Sequence, residues 1–237
     1  PTSTNGTWLH TQMLHNIING MITWHDTWGP RYGVLPGYGI AMQNGFEDTF
    51  TATATAALEV GAMPYAAGRL DHHWSNYVRA DGMINYRAEE VAQQARMLTI
   101  LALYHGYSGG DDALLLRHFA KAKALAEWLA ARRAASLRYG PDDPRHGIPP
   151  GTDEGDDFKV QYLHQTPQSH WYASAAEAYR AFTELGRVWE QVGQAQGRQD
   201  VAAHGGELLR LAPLLYHDLH ASLNKTVVAT TSTSRRC

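Results

Sequence analysis

The chain has 237 residues, of which 44% are hydrophobic and 18% charged, and its formal net charge is −3 with histidines neutral. A chain of this size and composition can bury a sizeable core, which excludes wholesale disorder. The slightly acidic balance argues against a nucleic-acid partner, because binding a phosphate backbone requires a basic face. No apolar run is long enough to cross a bilayer, so the sequence predicts no transmembrane helix and no membrane partner.

Cysteine and glycosylation patterns bear on the compartment. The single cysteine, Cys237, is the last residue of the sequence, which excludes a disulfide framework and a multi-cysteine zinc site. Two N-x-[ST] sequons, at 5–7 and 224–226, would matter only in a secretory pathway. The localisation stays open, with an extracellular or secretory location favoured.

Hydrophobic residues recur every three or four positions in several segments, which is the pattern of helices that bury one face. Residues 9–21 form a weak example. Residues 49–58 alternate with a period of two, like a strand, but their alanines and an N-cap at Asp48 favour a helix. Residues 64–78 carry a proline in their first turn, as helices tolerate. The clearest helical patterns cover 91–106, 113–138, 172–193 and 199–222.

The connections between these helices alternate between short and long. Residues 61–64 and 106–111 are short, whereas 24–45, 79–90 and 139–167 are long and rich in glycine, proline, aspartate and aromatic residues. This alternation predicts helical hairpins lying side by side, with the long loops gathered on one face, where function usually resides. The sequence therefore predicts an all-α fold of the toroid or solenoid type.

Three regions follow from this reading. Residues 1–24 form an N-terminal segment with a possible helix, and residues 25–224 form the helical domain. Residues 225–237, rich in threonine and serine, are predicted to be a disordered tail.

The most promising chemistry lies at 148–157, with the sequence Ile-Pro-Pro-Gly-Thr-Asp-Glu-Gly-Asp-Asp. Glycoside hydrolysis needs one carboxyl group to protonate the leaving oxygen and a second to activate water or to attack the sugar. Clustered carboxylates raise one another's pKa, so one of them can stay protonated near neutral pH. A solvated acidic loop or a calcium site is the alternative interpretation of the same residues.

Other loops carry candidate substrate-binding side chains. Glu47 and Asp48 stand where a long loop enters a helix, although N-capping explains Asp48 equally well. Arg87 follows a turn and could pair with a carboxylate or a sugar hydroxyl, while a plain surface turn is the alternative. Aromatic rings suit the apolar C–H faces of sugars, although any single ring fits a core role as well. The candidate platforms are Trp28, Tyr38 and Trp171.

Motifs for metal or cofactor chemistry are missing from the sequence. The 13 histidines include no H-E-x-x-H pattern and no recognised zinc spacing. No G-x-S-x-G, Walker A or G-x-G-x-x-G motif is present, so esterase, NTPase and dinucleotide enzymes lack their signatures. We expect neither a metal nor a cofactor.

A resemblance to a known superfamily rests on four ordered segments: GFEDT at 45–49, VRADGMINYR at 78–87, GIPPGTDEGDD at 147–157 and SAAEAYR at 174–180. As an ordered set they resemble the six-hairpin glycosidases, which include glucoamylases, processing glucosidases and rhamnosidases. The resemblance covers about residues 25–222. It implies an (α/α)6 toroid of twelve helices and a carbohydrate hydrolase, typically inverting.

The resemblance also implies roles for individual residues. Glu154 is the first choice for the general acid and Asp153 the next, because this acid often lies on the loop between the fifth and sixth helices. Asp48 is similar to the substrate-binding acid of an Arg-Asp motif, and Glu47 stands where some relatives carry arginine.

The chain departs from the superfamily in length. Six or seven predicted helices correspond to roughly half of the full barrel, and a toroid cut in this way leaves an apolar helix face open to self-association. The implied function is hydrolysis of O-glycosidic bonds of oligosaccharides. The alternative is a catalytically inactive carbohydrate-binding protein or a helical scaffold fragment.

Overall fold

The computed structural model describes residues 25–26, 29–30, 47–84, 89–152 and 169–233. This part of the chain is mostly helical, as predicted. The helices are α1 (Glu47–Glu59), α2 (Met63–Asn76), α3 (Val91–Tyr107), α4 (Asp112–Arg117), α5 (Phe119–Ser136), α6 (Tyr172–Ala195) and α7 (Gln199–Thr233). Two antiparallel strand pairs join β1 (His25–Asp26) to β2 (Gly29–Pro30) and β3 (Pro150–Gly151) to β4 (Ser169–His170).

The ambiguous segment at 49–58 is part of helix α1. Its buried side chains, Phe50, Ala54, Ala57 and Leu58, are spaced for one helical face and are at most 1% exposed. The threonines between them fit the helix because their hydroxyls can donate to carbonyls of the preceding turn. Thr55 Oγ1, for example, donates to the Thr51 carbonyl at 2.7 Å. Tertiary burial therefore outweighs the strand-like alternation of threonine and alanine.

The helix predicted over 113–138 is divided at His118 into α4 and α5. The Asp111 side chain caps α4 by accepting a hydrogen bond from the Ala113 amide at 3.1 Å. His118 lies at the corner with φ −97° and ψ 5°, and its Nε2 lies 2.9 Å from Asp71 Oδ1 on α2. The contact between His118 and Asp71 thus lies at the break between α4 and α5, which the hydrophobic spacing does not predict.

Helix α7 continues to Thr233, past the predicted helix end at Ser222 and into the tail that was expected to begin at 225. Contacts to neighbouring segments accompany this extension. Ser222 Oγ donates to the Pro144 carbonyl, Lys225 Nζ donates to the Pro141 carbonyl, and the Tyr172 hydroxyl pairs with Thr226 Oγ1. A loop and a second helix therefore support α7 as far as Thr226.

Neighbouring helices in the chain form antiparallel hairpins. In α1–α2, Phe50 stacks on His73 with ring centroids 4.0 Å apart, which joins the start of α1 to the later half of α2. In α6–α7, glycines allow close approach: a Cβ on Gly193 would lie 2.3 Å from the Ala202 amide nitrogen. Farther along the same hairpin, Tyr179 lies beside Tyr216.

Successive hairpins lie beside one another in the same orientation. Arg96 near the start of α3 pairs with Glu177 near the start of α6, and both helices then run in the same direction. In a second layer, Phe119 lies beside His204 and Arg133 pairs with Asp218, so α5 and α7 are also parallel. The result is two layers of helices, with α3 and α6 in one and α5 and α7 in the other.

The hydrophobic core lies largely between these layers and extends to the α1–α2 hairpin. It is built from large side chains that are almost completely buried, and Phe119 meets Trp189 edge-on with ring centroids 5.1 Å apart. The largest fully buried members include Trp74, Trp189, Phe50, Phe182, Leu70, Leu98, Leu101 and Leu125.

The described parts of two long connections meet at one end of the helices, which we call the loop end and define as residues 77–84, 89–90, 137–152 and 169–171. The Thr152 amide donates to the Glu89 carbonyl at 3.0 Å, and Arg132 pairs with the Glu89 side chain. Two short connections meet elsewhere, where Gln196 Nε2 donates to Asp112 Oδ2 at 2.7 Å.

In the described ranges, none of the helices combines the length and apolarity required to cross a bilayer.

Candidate functional site

A groove of about 480 Å³ lies where α1, α3 and α6 come together, and we call it the three-helix groove. Its polar lining includes Glu59 from α1, Arg96 from α3, and Glu177 and Arg180 from α6. Arg96 and Glu177 each lie within two turns of the start of their helices, which is the side of the loop end. The part of the groove that contains these two residues therefore lies toward the loop end.

An ion pair crosses the three-helix groove. Arg96 Nε donates to Glu177 Oε1 at 2.9 Å, and the two side chains remain 32% and 21% exposed. Glu177 Oε2 is buried and accepts no hydrogen bond from any residue that the structure describes. Arginine thus fixes one carboxylate oxygen, while the other is enclosed and receives no hydrogen bond from the described residues.

Among the described residues that line the groove, acidic and basic side chains are equal in number. Glu59 and Glu177 face Arg96 and Arg180, and Arg180 Nε also donates to Glu184 Oε1 at 2.9 Å. A balanced set of donors and acceptors does not favour a ligand of either net charge.

Hydroxyl and apolar groups complete the lining. Thr99 Oγ1 donates its proton to the Ala95 carbonyl at 3.3 Å, which leaves the lone pairs of the hydroxyl oxygen as acceptors. Ala52, Ile100 and Leu103 supply apolar surface in the same groove. The site can therefore contact both polar and C–H surfaces of one small molecule.

The long acidic loop leaves the described part of the chain beside α3. Pro150 pairs with His170 and Gly151 with Ser169, so β3 and β4 form a short antiparallel neck. A Cβ on Gly151 would lie 2.7 Å from the Glu89 carbonyl oxygen, so glycine permits the close approach of this neck to α3. Thr152, which follows directly, is the last described residue before the acidic run.

Cationic and aromatic side chains surround Tyr139 beside the neck. The guanidinium carbons of Arg145 and Arg138 lie 4.1 and 5.0 Å from the Tyr139 ring centroid. The His170 ring meets Tyr139 edge-on at 5.2 Å. Burial lowers the pKa of His170, and the positive charges of Arg145 and Arg138 lower it further. His170 is therefore a neutral imidazole at neutral pH.

The residues predicted from sequence fall into three groups. Trp171 is described, precedes α6 directly and is 44% exposed, which suits a ligand platform. Glu47 and Asp48 are the first two residues of α1, where the structure describes the backbone alone. The remaining candidates, Glu154, Asp153, Arg87, Trp28 and Tyr38, lie outside the described residues, and their roles stay predictions.

Arg96 and Glu59 were not identified from the sequence, and Glu177 entered only as part of a resembling segment. A signal for Arg96 was present, because it is the only Lys, Arg, Asp or Glu in α3, a helix whose residues are mostly buried. A lone charge in such a helix requires a partner or water. The partner, Glu177, is 81 positions away, and sequence spacing does not reveal it.

Comparison of the chain with protein families, curated proteins and solved structures found no match of any kind. Among the described residues, no group of three or more His, Cys, Asp or Glu side chains is placed to hold a metal ion. Function is therefore inferred from the residues and their geometry.

Proposed function

We propose that the chain is a glycoside hydrolase-like protein that acts on O-glycosidic bonds of oligosaccharides. The observation that carries the proposal is the stacking of helical hairpins in one orientation, with the neck of the acidic loop against the start of α3. Such stacking is what roughly half of an (α/α)6 toroid would require, with α1, α3 and α6 as inner helices and α2, α5 and α7 as outer helices.

The proposed chemistry uses the acidic loop. Glu154 would protonate the leaving-group oxygen, with Asp153 as the next candidate for that role. Asp48, Glu47 and Arg87 would bind sugar hydroxyls. Trp28, Tyr38 and Trp171 would stack on sugar rings, and the exposure of Trp171 supports such a contact.

Sugar binding and turnover provide the test of the proposal. The full chain would be titrated with maltotriose, cellotriose and mannotriose while tryptophan fluorescence is recorded, and the same mixtures would be assayed for new reducing ends. We expect fluorescence quenching that saturates and is weakened in Trp171→Ala. If none of the sugars causes quenching or is cleaved at millimolar concentration, the proposal is wrong.

A helical scaffold that binds proteins is the second candidate function. It is favoured by a shallow apolar groove of about 450 Å³ between α3 and α6, where Tyr107 is 52% exposed beside Leu103 and Val188. Exposed apolar surface of this kind is common at protein interfaces. This function would be favoured if the chain bound none of the sugars and if Tyr107→Ser abolished its binding to a partner protein.

Self-association is a separate proposal. Tyr216 on α7 is 48% exposed, next to Tyr179 on α6, so this side of the hairpin offers aromatic surface to a second copy. Light scattering should show a dimer or larger species that Tyr216→Ser shifts toward monomer. A monodisperse monomer at every protein concentration would contradict it.

A further inference from the structure

Two histidines lie together on the outer face of α7. His217 and His220 are three positions apart on one helix, so their Cβ atoms are neighbours, about 5–6 Å apart. Both residues are exposed, and the side chain of His217 is 81% exposed. Imidazole is a preferred ligand of zinc, and side chains at this helical spacing share a metal centre in helix bundles. The two rings can therefore contribute to one metal site.

The surroundings of His217 favour metal binding through one ring nitrogen. His217 Nδ1 lies 3.6 Å from Asp218 Oδ1, whereas Asp218 Oδ2 accepts hydrogen bonds from Arg133. A carboxylate beside Nδ1 favours the proton on that nitrogen, which leaves the lone pair of Nε2 for a metal. Histidine ligands of metal ions commonly have such a carboxylate behind the ring.

An aromatic neighbour restrains the ring of His220. Tyr216, one turn earlier on α7, lies beside it with ring centroids 4.2 Å apart and an interplanar angle of 43°. Tyr216 in turn contacts Tyr179 on α6, with 5.3 Å between ring centroids. A ring that packing already restrains loses less conformational entropy when its nitrogen binds a metal.

One chain supplies only part of a zinc site. Structural zinc takes four ligands in a tetrahedral arrangement. Among the described residues, the histidine pair has no third His, Cys, Asp or Glu placed to complete a metal site. Two copies related by a twofold axis would bring four imidazoles together, so a second copy completes the site.

The helix face around the histidine pair suits a second copy. Protein interfaces are depleted in lysine, aspartate and glutamate and enriched in aromatic side chains. Over residues 211–224, the exposed positions of α7 include no Lys, Arg, Asp or Glu; they are Pro213, Leu214, Tyr216, His217, His220 and Asn224.

We propose that His217 and His220 from two copies of the chain bind one Zn²⁺ ion, and that this ion joins the copies through their α7 helices. The inference rests on the self-association proposed above and deepens it by naming the ion that holds the two copies. It does not depend on the glycoside hydrolase assignment.

The oligomeric state with and without metal provides the first test. The full chain would be studied by analytical ultracentrifugation in EDTA, in Zn²⁺ and in Mg²⁺. We expect Zn²⁺ to lower the dissociation constant of the dimer at least about tenfold relative to EDTA, since an ion that binds only the dimer stabilises it. Calorimetric titration should give one zinc ion per two chains. Mg²⁺ prefers oxygen ligands and should have no effect.

Substitutions identify the ligands. His217→Gln and His220→Phe each remove one imidazole, and the phenyl ring of the second variant can still pack on Tyr216. Both should abolish the effect of zinc on the dimer and leave the melting temperature in EDTA unchanged. His204→Gln is the matched control on the same helix, because the His204 ring lies beside Phe119 of α5, and it should respond to zinc like the unmodified chain.

The outcomes separate the zinc site from self-association. A dimer that is equally tight in EDTA would overturn the zinc site and leave self-association standing. A zinc response that survives both His217→Gln and His220→Phe, or one zinc ion bound per monomer, would also overturn the site. A monomer under every condition would overturn both proposals. None of these results bears on sugar binding or cleavage, which their own assays decide.

Discussion

Each of the two helix layers contains an ion pair between parallel helices, and the two pairs differ in their surroundings. Arg133 donates to Asp218 Oδ2 from both Nε and Nη2, at 2.9 and 2.6 Å, and these side chains are only 12% and 9% exposed. A Cβ on Gly147 would lie 2.2 Å from this carboxyl group, so the loop packs directly against it.

The Arg96–Glu177 pair is the more open of the two, with side chains 32% and 21% exposed and Oε2 not engaged by described residues. The two arginine–carboxylate ion pairs thus differ in how far their side chains are covered. A covered pair joins α5, α7 and the loop and leaves no room for a ligand. The open pair lies in the groove that α1, α3 and α6 form.

The largest expected effect tests the structural role of the covered pair. Asp218→Ala leaves Arg133 buried without its carboxylate and should reduce the free energy of unfolding by about 3–5 kcal/mol. Asp200→Ala is the matched control on the same helix, because the Asp200–Arg198 pair is about half exposed and its loss should reduce stability far less. Urea unfolding of both variants measures the difference, and equal losses would contradict the comparison.

The next prediction concerns the proposed catalytic function. In active protein, Glu154→Gln should lower turnover of an oligosaccharide at least about 100-fold, since general acid catalysis contributes roughly 10²–10⁴. The loss should be smaller on an activated aryl glycoside, whose leaving group needs no protonation. Asp157→Asn is the control and should reduce the rate much less. Equal losses by Glu154→Gln on both substrates would exclude it as the general acid.

A third prediction addresses the other face of α6, where glycines bring α7 close. Gly193→Ala would place a methyl group 2.3 Å from the Ala202 amide nitrogen and should destabilise the protein by about 1–3 kcal/mol. Gly206→Ala, with open space around its Cβ position, should be neutral or stabilising by up to about 1 kcal/mol, since alanine favours helix. Thermal unfolding of the two variants gives the comparison, and similar melting temperatures would be inconsistent with close helix packing.

The smallest effect concerns pH and the buried His73 on α2. Burial holds the pKa of His73 well below its usual range, and the charges of Arg69 and His72 lower it further. The unfolded chain therefore binds a proton at a pH where the folded protein does not, so stability falls as pH drops below about 6.5, by at most about 1.4 kcal/mol per unit for this group.

His73→Phe should retain stacking on Phe50, whose ring centroid lies 4.0 Å away, and remove this contribution. The check is urea unfolding between pH 7 and 5, where the variant should show the shallower loss of stability. An unchanged slope would mean that His73 does not contribute. His118 and His170, whose pKa values are also lowered, should account for part of the slope that remains.

The helical elements could be predicted because their periodicity is local. The helix predicted at 172–193 is observed as Tyr172–Ala195, and that at 91–106 as Val91–Tyr107. The boundaries that differ depend on distant partners. His118 contacts Asp71 at the break between α4 and α5, and Ser222 contacts Pro144 where α7 continues. Such contacts cannot be predicted from the hydrophobic spacing of the sequence.

The mostly helical character of the chain could be predicted from sequence, because hydrophobic spacing and the alternation of connections are properties of neighbouring residues. The sequence also identified Trp171 as a candidate, since that side chain is recognisable by its type and loop position. Helix packing, in contrast, brings Arg96 to Glu177, leaves that pair partly exposed and buries Asp218. Those outcomes depend on which helices pack side by side, and that arrangement joins residues 81 and 85 positions apart.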